Sequence, residues 1–524
     1  METVNIIGAG LAGLSSALAF AENKIKCNLI SLAPSERAQS VMAEGGINAA
    51  LDTMGEGDSV DDHYEDTLNG GVYLADPDAV RGLVTHAPET VKWLTGLGVP
   101  FQMQDNKLLL RNFGGQKLKR TAFAKSSTGK VIMTALIDEV RKKEAEGYIN
   151  RYCHHEALEP VIGYGTCKAV VVKDVFTDEE SLLPGSVIAA SGGLNGLFEG
   201  MTTGTVANTG DFTAACFEKG AALGNPEMIQ FHPTTAHIAG KKLLISEAAR
   251  GEGGRLFIIR DGKPWYFMEE FFPEQGNLAP RDIISRQMVK VLAMDDTQDQ
   301  VYLDLTGLSQ DAWKYKLSDM RDDIREFLNK DPVKEPIPVL PGIHFFMGGI
   351  LTDKNHRTNI KGLYAAGECA CQYHGANRLG GNSMLAAVYG GKIAAQSAME
   401  DSLFVQGEPE ETAVPDVKGV SDEFKEYLSQ TLTEGLGILR NENTLHDALN
   451  KVQNLKNPDR TIKENKRLFV AEAMLKAALR RKESRGAHAR TDYPERDDEH
   501  FKKTSVARFN DGRVQVEFKE IGEI

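Results

Sequence analysis

Short apolar segments alternate with longer segments of helical periodicity over most of the chain. The first apolar segment, Thr3 to Ile7, is rich in β-branched residues and is followed by a segment of helical character, LSSALAFAEN. A second short segment, KCNLIS, ends at Ser31. Strands of this length that alternate with helices predict an α/β fold.

Helical spacing also marks two later regions. Between Asp76 and Leu97 apolar residues recur at intervals of three and four, with a break expected near Pro88. Residues 421–482 show helical periodicity with many charges and predict a small helical domain. The polar segment 407–419, GEPEETAVPDVKG, has the composition of a linker, and the final RVQVEFKEI predicts a last strand.

A glycine motif follows the first predicted strand directly. Gly8, Gly10 and Gly13 have the GxGxxG spacing, placed after a strand and before a helix. In a dinucleotide-binding βαβ unit these glycines serve the tight turn, the close approach of a pyrophosphate, and helix–strand packing. Because the second strand ends at Ser31 instead of an acidic residue, a nicotinamide dinucleotide is disfavoured.

A second chemical stretch, residues 362–391, reads as a strand, a glycine-rich loop and a helix. The strand is expected at Leu363 to Ala366 and the helix from about Asn382. Backbone N–H groups at such a turn can face an anionic or electron-rich ligand. Arg378 lies in the loop, where its guanidinium could grip a carboxylate with two hydrogen bonds.

Composition and charge restrict the class of protein further. The chain has 524 residues and a net charge of −14, which argues against nonspecific binding to nucleic acid or acidic membranes. An anionic substrate would therefore need a locally basic pocket. No apolar run approaches the ~20 residues that cross a bilayer, and Met1 leads straight into a strand, so a cytoplasmic location is expected. The six scattered cysteines predict neither disulfides nor a metal, haem or iron–sulfur site.

The segment HGANRLGGNS, residues 374–383, resembles the C-terminal flavin and substrate motif of fumarate reductase and succinate dehydrogenase flavoprotein subunits, whose close relative is L-aspartate oxidase. Further segments resemble motifs of this family in the same order, namely QFHPTT, SEAARGEGG, RDIISR, HFFMGG and ESRGAH. The resemblance covers nearly the whole chain. It implies a Rossmann-like FAD-binding domain (1–225 and 351–406), an inserted α+β capping domain (226–350) and a C-terminal helical domain with a tail (420–524).

FAD is the cofactor that the resemblance implies. The implied contacts come from the glycine motif, the segment RAQSVMAEGGINAAL and the second glycine loop, at Gly8, Gly10, Gly13, Ser31, Ser40, Gly45, Gly46, Asp211, Glu368, Asn382 and Ser383. Gln39 stands where membrane-bound relatives carry the histidine linked to FAD. An amide cannot form that bond, so noncovalent FAD is expected. Two interpretations of the absent covalent bond remain open. It either lowers the reduction potential of the flavin and so favours fumarate reduction, or it marks a noncovalent branch of the family and says nothing about the direction of the reaction.

The resemblance also implies the substrate site, for a C4 dicarboxylate. His232, Ser246, His344 and Arg378 would bind the carboxylates, which suits a 2-enedioate that accepts hydride from flavin N5. The proton for the other alkene carbon would come from Arg286, replenished through Glu247 and Arg250. These last two are three residues apart and share a face in a helical turn.

Other functions remain open on the sequence. L-Aspartate oxidase is supported by the missing histidine, but its glutamate facing the substrate ammonium is replaced here by Phe113. A related 2-enoate is another candidate substrate. A noncatalytic FAD electron-transfer or assembly component would not require the whole set of histidines and arginines. The resemblance leaves room for an iron–sulfur partner subunit, and for membrane association through such a partner.

Overall fold

The computed structural model describes residues 3–294, 299–401, 419–457 and 459–524. A five-stranded parallel sheet forms its centre, with all strands buried or nearly so except at one edge. From edge to edge the strands are Leu363–Ala365, Val187–Ala189, Val4–Ile7, Cys27–Ser31 and Ile149–Cys153. Because parallel strands are joined by crossovers, helices cover this sheet. The expected α/β fold is confirmed.

Three helices pack together against the sheet, at Leu11–Glu22, Thr128–Ala145 and Asn382–Asp401. Their small and apolar side chains form one core cluster with the strands. The helix Val60–Gly70 precedes the pair Pro77–Thr85 and Ala87–Gly96. The break in this pair lies at His86, with Pro88 in the first turn of the second helix, where its missing N–H costs no hydrogen bond.

Smaller sheets extend this domain. An antiparallel meander consists of His155–Gly163, Thr166–Asp174 and Glu180–Pro184. Short strands at Ile47–Asn48, Leu110–Arg111 and Thr121–Ala122 form a second sheet, and Met103–Gln104 pairs with Lys107–Leu108. The helix Asp211–Glu218 follows the strand Val187–Ala189 and packs on the meander.

Residues between Ile229 and Phe346 build a six-stranded antiparallel sheet. Its strands, in spatial order, are Lys241–Leu244, Ile229–Ile238, Ile337–Phe346, Val301–Asp304, Arg255–Arg260 and Lys263–Trp265. Helices Glu247–Gly251, Phe267–Phe271, Arg281–Leu292 and Ser318–Leu328 accompany it, with a short wide turn of helix at Ala312–Lys316. Apolar side chains from both layers form a separate core.

The C-terminal region contains the helices Asp422–Gly435, Glu442–Leu455 and Ile462–Arg480, followed by the short helix Asp498–Phe501. Strands Thr504–Asn510 and Arg513–Lys519 then form a hairpin, which confirms the expected last strand. This hairpin joins Leu223–Gly224, Gly349–Leu351 and Ala370–Cys371 in one sheet, so the chain end returns to the centre of the molecule. The linker expected at 407–419 lies outside the described residues apart from its last one.

Within the four described ranges, no helix has the length and apolar character needed to span a bilayer. Over the same ranges, no group of three or more His, Cys, Asp or Glu side chains is arranged to hold a metal ion. The six cysteines are free thiols, and five of them are buried. The domain boundaries at 225, 350 and 420 stay a prediction.

Candidate active site

One elongated cavity runs from the carboxyl edge of the parallel sheet to the six-stranded sheet. Open α/β sheets bind ligands at this edge. At one end the cavity is lined by Gly8, Gly10 and Ser31, and at the other by His232, His344 and Arg378. Residues that are far apart in the sequence thus form a single site with a backbone-rich end and a charged end.

The glycine motif adopts the close-packed turn that its spacing predicts. Gly8 has φ 114°, and a Cβ there would lie 2.2 Å from the Ala190 carbonyl oxygen. A Cβ on Gly13 would lie 1.8 Å from the Gly8 oxygen. Gly8 and Gly10 line the cavity, whereas Gly13 does not, so Gly13 serves helix–strand packing. The bare backbone before the helix Leu11–Glu22 fits a dinucleotide pyrophosphate.

Most of the other predicted cofactor residues also line the cavity, namely Ser31, Ser40, Gly45, Gly46, Asp211, Glu368 and Ser383. The Ser40 hydroxyl accepts a hydrogen bond of 3.2 Å from the Leu11 N–H and so fixes the start of the helix. The Asp211 carboxylate is already paired with Arg467, at 2.6 Å to Nε. Asp211 therefore reaches the cavity edge while it ties the C-terminal helix to this domain.

Asn382 is a predicted cofactor residue whose side chain does not line the cavity. Its side-chain oxygen accepts from Asn48 at 2.7 Å and lies 3.0 Å from His63 Nε2, and its amide nitrogen donates to Thr67 at 3.0 Å. The side chain is fully buried in this polar cluster and lies outside the cavity lining. Its neighbour Ser383 lines the cavity instead, because successive residues of a helix point in different directions.

Gln39 lines the cavity with its amide oxygen engaged. That oxygen accepts a hydrogen bond of 2.6 Å from the Thr205 N–H. The hydrogen bond ties the segment before Ser40 to the loop that also contains Thr203. The position at which membrane-bound relatives carry the FAD-linked histidine is therefore occupied here by a side chain that hydrogen-bonds the protein backbone.

Two carboxyl groups in the cavity wall have perturbed acidities. Burial raises the pKa of Glu368 to about 7, opposed by the Phe346 N–H and by Arg378. Burial and the nearby Asp323 raise the pKa of Glu44 to about 8. Glu44 was not expected from the sequence, although it directly precedes the predicted Gly45 and Gly46. Both groups can be neutral near pH 7, which limits the negative charge in the wall.

The two predicted histidines lie side by side, with ring centroids 5.1 Å apart. His344 Nδ1 is 2.8 Å from the Thr203 hydroxyl, and His232 Nδ1 lies 3.3 Å from the Thr234 N–H. Burial and the charge of Arg281 hold the pKa of both histidines well below the usual range. They are therefore neutral hydrogen-bonding groups at physiological pH.

Arg378 is buried in the same end of the cavity. Its Nη1 donates to the Ser383 hydroxyl at 3.0 Å, and its guanidinium lies over the Phe345 ring, 4.5 Å from the centroid. Burial and the like charge of Arg281 hold its pKa well below the usual range. Its Nε has no hydrogen-bond partner in the described structure. A carboxylate in the cavity would supply the missing acceptor.

A second arginine, Arg281, faces the cavity from the start of the helix Arg281–Leu292. Its Nε and Nη2 bind the same oxygen of Glu247 at 2.8 and 2.7 Å, and Nη1 donates to Gln230 at 3.1 Å. Burial alone would raise the pKa of the Glu247 carboxyl, but Arg281 and Arg250 bring it below the usual range. Glu247 is therefore an ionised carboxylate between two cations.

The structure does not bring Arg286 to the cavity. Its side chain is 27% exposed and pairs with Asp282 one helical turn earlier, at 2.8 Å. Arg250 also lies outside the lining, behind Glu247, with 3.9 Å between Nη2 and the carboxylate. Of the two arginines in this motif, Arg281 lines the cavity and Arg286 does not, so the role predicted for Arg286 passes to Arg281 as a proposal.

Helical spacing could have identified from the sequence which arginine of this helix lines the cavity. Arg281 is in register with Ile284, Met288 and Val291, which are buried on the inner face of the helix, whereas Arg286 falls on the outer face. Ser246 and Glu247 also line the cavity, and so does Phe113. A phenyl ring therefore occupies the position in the wall where L-aspartate oxidases are expected to carry a glutamate.

The parallel sheet with its glycine motif, the bare backbone at the helix start and the adjoining polar cavity define an FAD-binding oxidoreductase. Residues 3–384 match the FAD binding domain family, and residues 459–522 match the fumarate reductase flavoprotein C-term family. The chain belongs to the succinate dehydrogenase and fumarate reductase flavoprotein family.

Relatives with names in this family align over nearly their whole length. The succinate dehydrogenase flavoprotein subunit of Bacillus subtilis (strain 168) is 36% identical, over 97% of this chain and 94% of its own. The fumarate reductase flavoprotein subunit of Mycobacterium tuberculosis (strain CDC 1551 / Oshkosh) is 34% identical, over 98% and 96%. A solved structure of a variant of the E. coli quinol fumarate reductase FrdA has a TM-score of 0.90 at 30% identity, over 100% and 97%.

Replacing Gly8 by alanine is expected to abolish FAD retention. The new Cβ would lie 2.2 Å from the Ala190 oxygen at a φ of 114°, so the turn must move. Gly96→Ala is the control, because a Cβ at that helical residue meets no atom within 4 Å. The ratio of flavin to protein absorbance measures retention in the purified variants. Full flavin content in Gly8→Ala would contradict the assignment of this turn to the cofactor.

Proposed function

We propose that this chain interconverts fumarate and succinate with FAD, and that it works in the direction of fumarate reduction. The observation that carries the proposal is the pair of buried guanidiniums, Arg281 and Arg378, that face one cavity beside two neutral histidines. A substrate with two carboxylates matches this excess of positive charge.

Four side chains would hold the carboxylates. Arg378 offers its unpartnered Nε, and His232 and His344 offer ring nitrogens on the side away from Thr234 and Thr203. Ser246 accepts from the Ala248 N–H at the start of its helix and also hydrogen-bonds the Glu44 carboxyl, so its proton would turn from Glu44 to a substrate carboxylate. Fixed donors around a carboxylate stabilise the negative charge that develops when an adjacent alkene carbon accepts hydride.

Bound FAD would supply the hydride for reduction. The proton for the second alkene carbon would come from the Arg281 guanidinium, which would then regain a proton through Glu247. Arginine normally stays protonated with a pKa above about 12, so this role needs a strongly basic acceptor in a site that excludes water. Arg250 stands behind Glu247 as the next cation in the series.

Phe113 favours fumarate and succinate over aspartate as substrates, and Gln39 favours the direction of fumarate reduction. A phenyl ring offers no negative charge to a substrate ammonium, and Phe113 is buried in the cavity wall. Gln39 cannot link FAD covalently, and the lower flavin potential expected without a link favours reduction of the alkene. FAD would be held through the backbone and hydroxyl groups of the glycine-motif end of the cavity.

An electron-transfer partner is also part of the proposal. The similar relatives are named as subunits, and the solved structure is that of a quinol fumarate reductase. The cysteines of this chain have no iron–sulfur spacing, so a cluster that feeds electrons to FAD would lie on a partner chain. Such a partner would also account for association with a membrane from the cytoplasmic side.

Fumarate is expected to reoxidise the reduced flavin, whereas L-aspartate should leave the oxidised flavin unchanged. Both additions are made to the purified protein without oxygen, and the flavin absorbance is followed. Because Phe113 gives no counter-charge to an ammonium, bleaching by aspartate is not expected. Bleaching by aspartate would identify an aspartate oxidase instead, and failure of both substrates would point to a noncatalytic electron carrier.

Arg281→Lys is expected to lower fumarate turnover by about 10²-fold or more, the typical worth of a positioned general acid. Lysine keeps the charge beside Glu247 but cannot donate twice to it and still reach the substrate. Arg286→Lys makes the same change on the outer face of the helix and should keep nearly normal turnover. Steady-state rates and flavin content are measured for both. The reverse ranking would restore Arg286 to the role.

The flavin is expected to leave the protein on acid denaturation. Precipitation with acid should release all of the yellow colour into the supernatant, because Gln39 offers no ring nitrogen for a link. Gln39→His supplies one as a comparison. Flavin that remains in the washed pellet of the unaltered protein would contradict noncovalent binding.

A further inference from the structure

Lys242 is a cation of the cavity wall that the assignments above leave without a role. It lies on the edge strand Lys241–Leu244, opposite His237 in the register with Ile229–Ile238. Side chains that are directly opposite in an antiparallel pair lie on the same face, so Lys242 shares a face with Thr235, Leu244 and His237. The apolar residues Ala236 and Leu243 point the other way, into the core of the capping sheet.

The face that contains Lys242 is also the face of the two site histidines. Gly342 is opposite His232 in the next strand pair, and His344, at an irregularity of that strand, has its ring centroid 5.1 Å from that of His232. A Cβ on Gly342 would lie 3.3 Å from Lys242 Cγ, so the lysine stem lies over this glycine. The Lys242 N–H donates to the Thr202 oxygen at 3.1 Å, and the adjacent Thr203 hydroxyl contacts His344.

The Lys242 ammonium has no counter-ion in this arrangement. The residue is only 8% exposed, and among the described residues no carboxylate forms an ion pair with it or shifts its pKa. The titratable groups of the neighbouring strands are His232, His237 and His344, none of which is acidic. Burial lowers the pKa of Lys242, and no acidic group opposes that effect. A buried lysine beside a cavity usually has an anionic partner, here from the ligand.

We propose that Lys242 is a specificity-determining residue that binds the substrate carboxylate on the His232 and His344 side of the cavity. The proposal rests on the proposed function and adds a third cation to Arg281 and Arg378. It places no bond-making step on Lys242. Its ammonium would draw a dianion into the cavity and hold it, so it should act on substrate affinity and leave the rate of the bound complex nearly unchanged.

The test compares Lys242→Met with Lys263→Met in the FAD-loaded protein. Lys263 is exposed on the strand at the opposite edge of the same sheet, so its loss removes equal charge far from the cavity. Lys242→Met is expected to raise the KM for fumarate about tenfold, the worth of one modest charge-assisted contact, with kcat changed less than about twofold. Lys263→Met should match the unaltered protein in both constants.

The pH dependence of the KM for fumarate distinguishes a substrate-binding lysine from one with only a structural role. Affinity for fumarate should be present below the pKa of Lys242 and be lost as the pH rises through it, because only the ammonium attracts the carboxylate. Lys242→Arg, which stays charged, should keep low KM values to higher pH. Lys242→Met should show a high KM throughout, without this alkaline limb.

The outcomes separate this inference from the proposed function. Absence of fumarate reduction in the unaltered protein would overturn the function itself. Normal reduction with the same KM in Lys242→Met would overturn only the role of Lys242. A changed flavin reduction potential or FAD affinity with an unchanged KM would also overturn it, and would place the lysine at the cofactor instead.

Discussion

Two guanidiniums buried against one cavity are the constraint on which the site depends. Each buried charge costs several kcal/mol in lost hydration, and two like charges oppose each other. Glu247 compensates Arg281 through a hydrogen bond from Nε and an ion-pair contact with Nη2, whereas among the described residues the Arg378 guanidinium contacts a hydroxyl and an aromatic ring. The neutral histidines add donors without further charge. The cavity therefore has an excess of positive charge in a chain of net charge −14, which suits the dianionic substrate of the proposed function.

The fold holds these two arginines from opposite sides. Arg281 comes from the capping helix, and Arg378 comes from the loop after the parallel sheet. That loop is fastened by the C-terminal region, since the Ala487 N–H donates to the Ala376 oxygen at 2.8 Å. The neighbouring Arg485 is fully buried and paired with Glu483 at 2.7 Å. A buried charge network remote from the cavity thus fixes the backbone that presents Arg378.

The sequence predicted the elements better than the directions of individual side chains. Glycine spacing, apolar periodicity and motif order located the sheet, the helices and most of the cavity wall. Motif order alone did not separate Arg281 from Arg286, or Ser383 from Asn382, because both members of each pair lie in the same motif. Apolar periodicity in the helix Arg281–Leu292 distinguishes the first pair, whereas the direction of Asn382 depends on its packing in a polar cluster contributed by the first domain. The Lys466 and Arg467 pairs with the first domain likewise join residues more than 250 positions apart.

One short loop connects the apolar wall of the cavity to the pair of Glu247 and Arg281. Phe113 places its ring against Gly45 and Gly380, while the next residue, Gly114, donates its N–H to Glu247 at 2.8 Å. A side chain at Gly114 would stand 2.8 Å from that same carboxylate oxygen, so glycine is required there. The loop that presents an apolar wall to the cavity thereby also fixes the carboxylate that orients Arg281. A substitution at Phe113 that moved this loop would therefore alter the orientation of Arg281 as well.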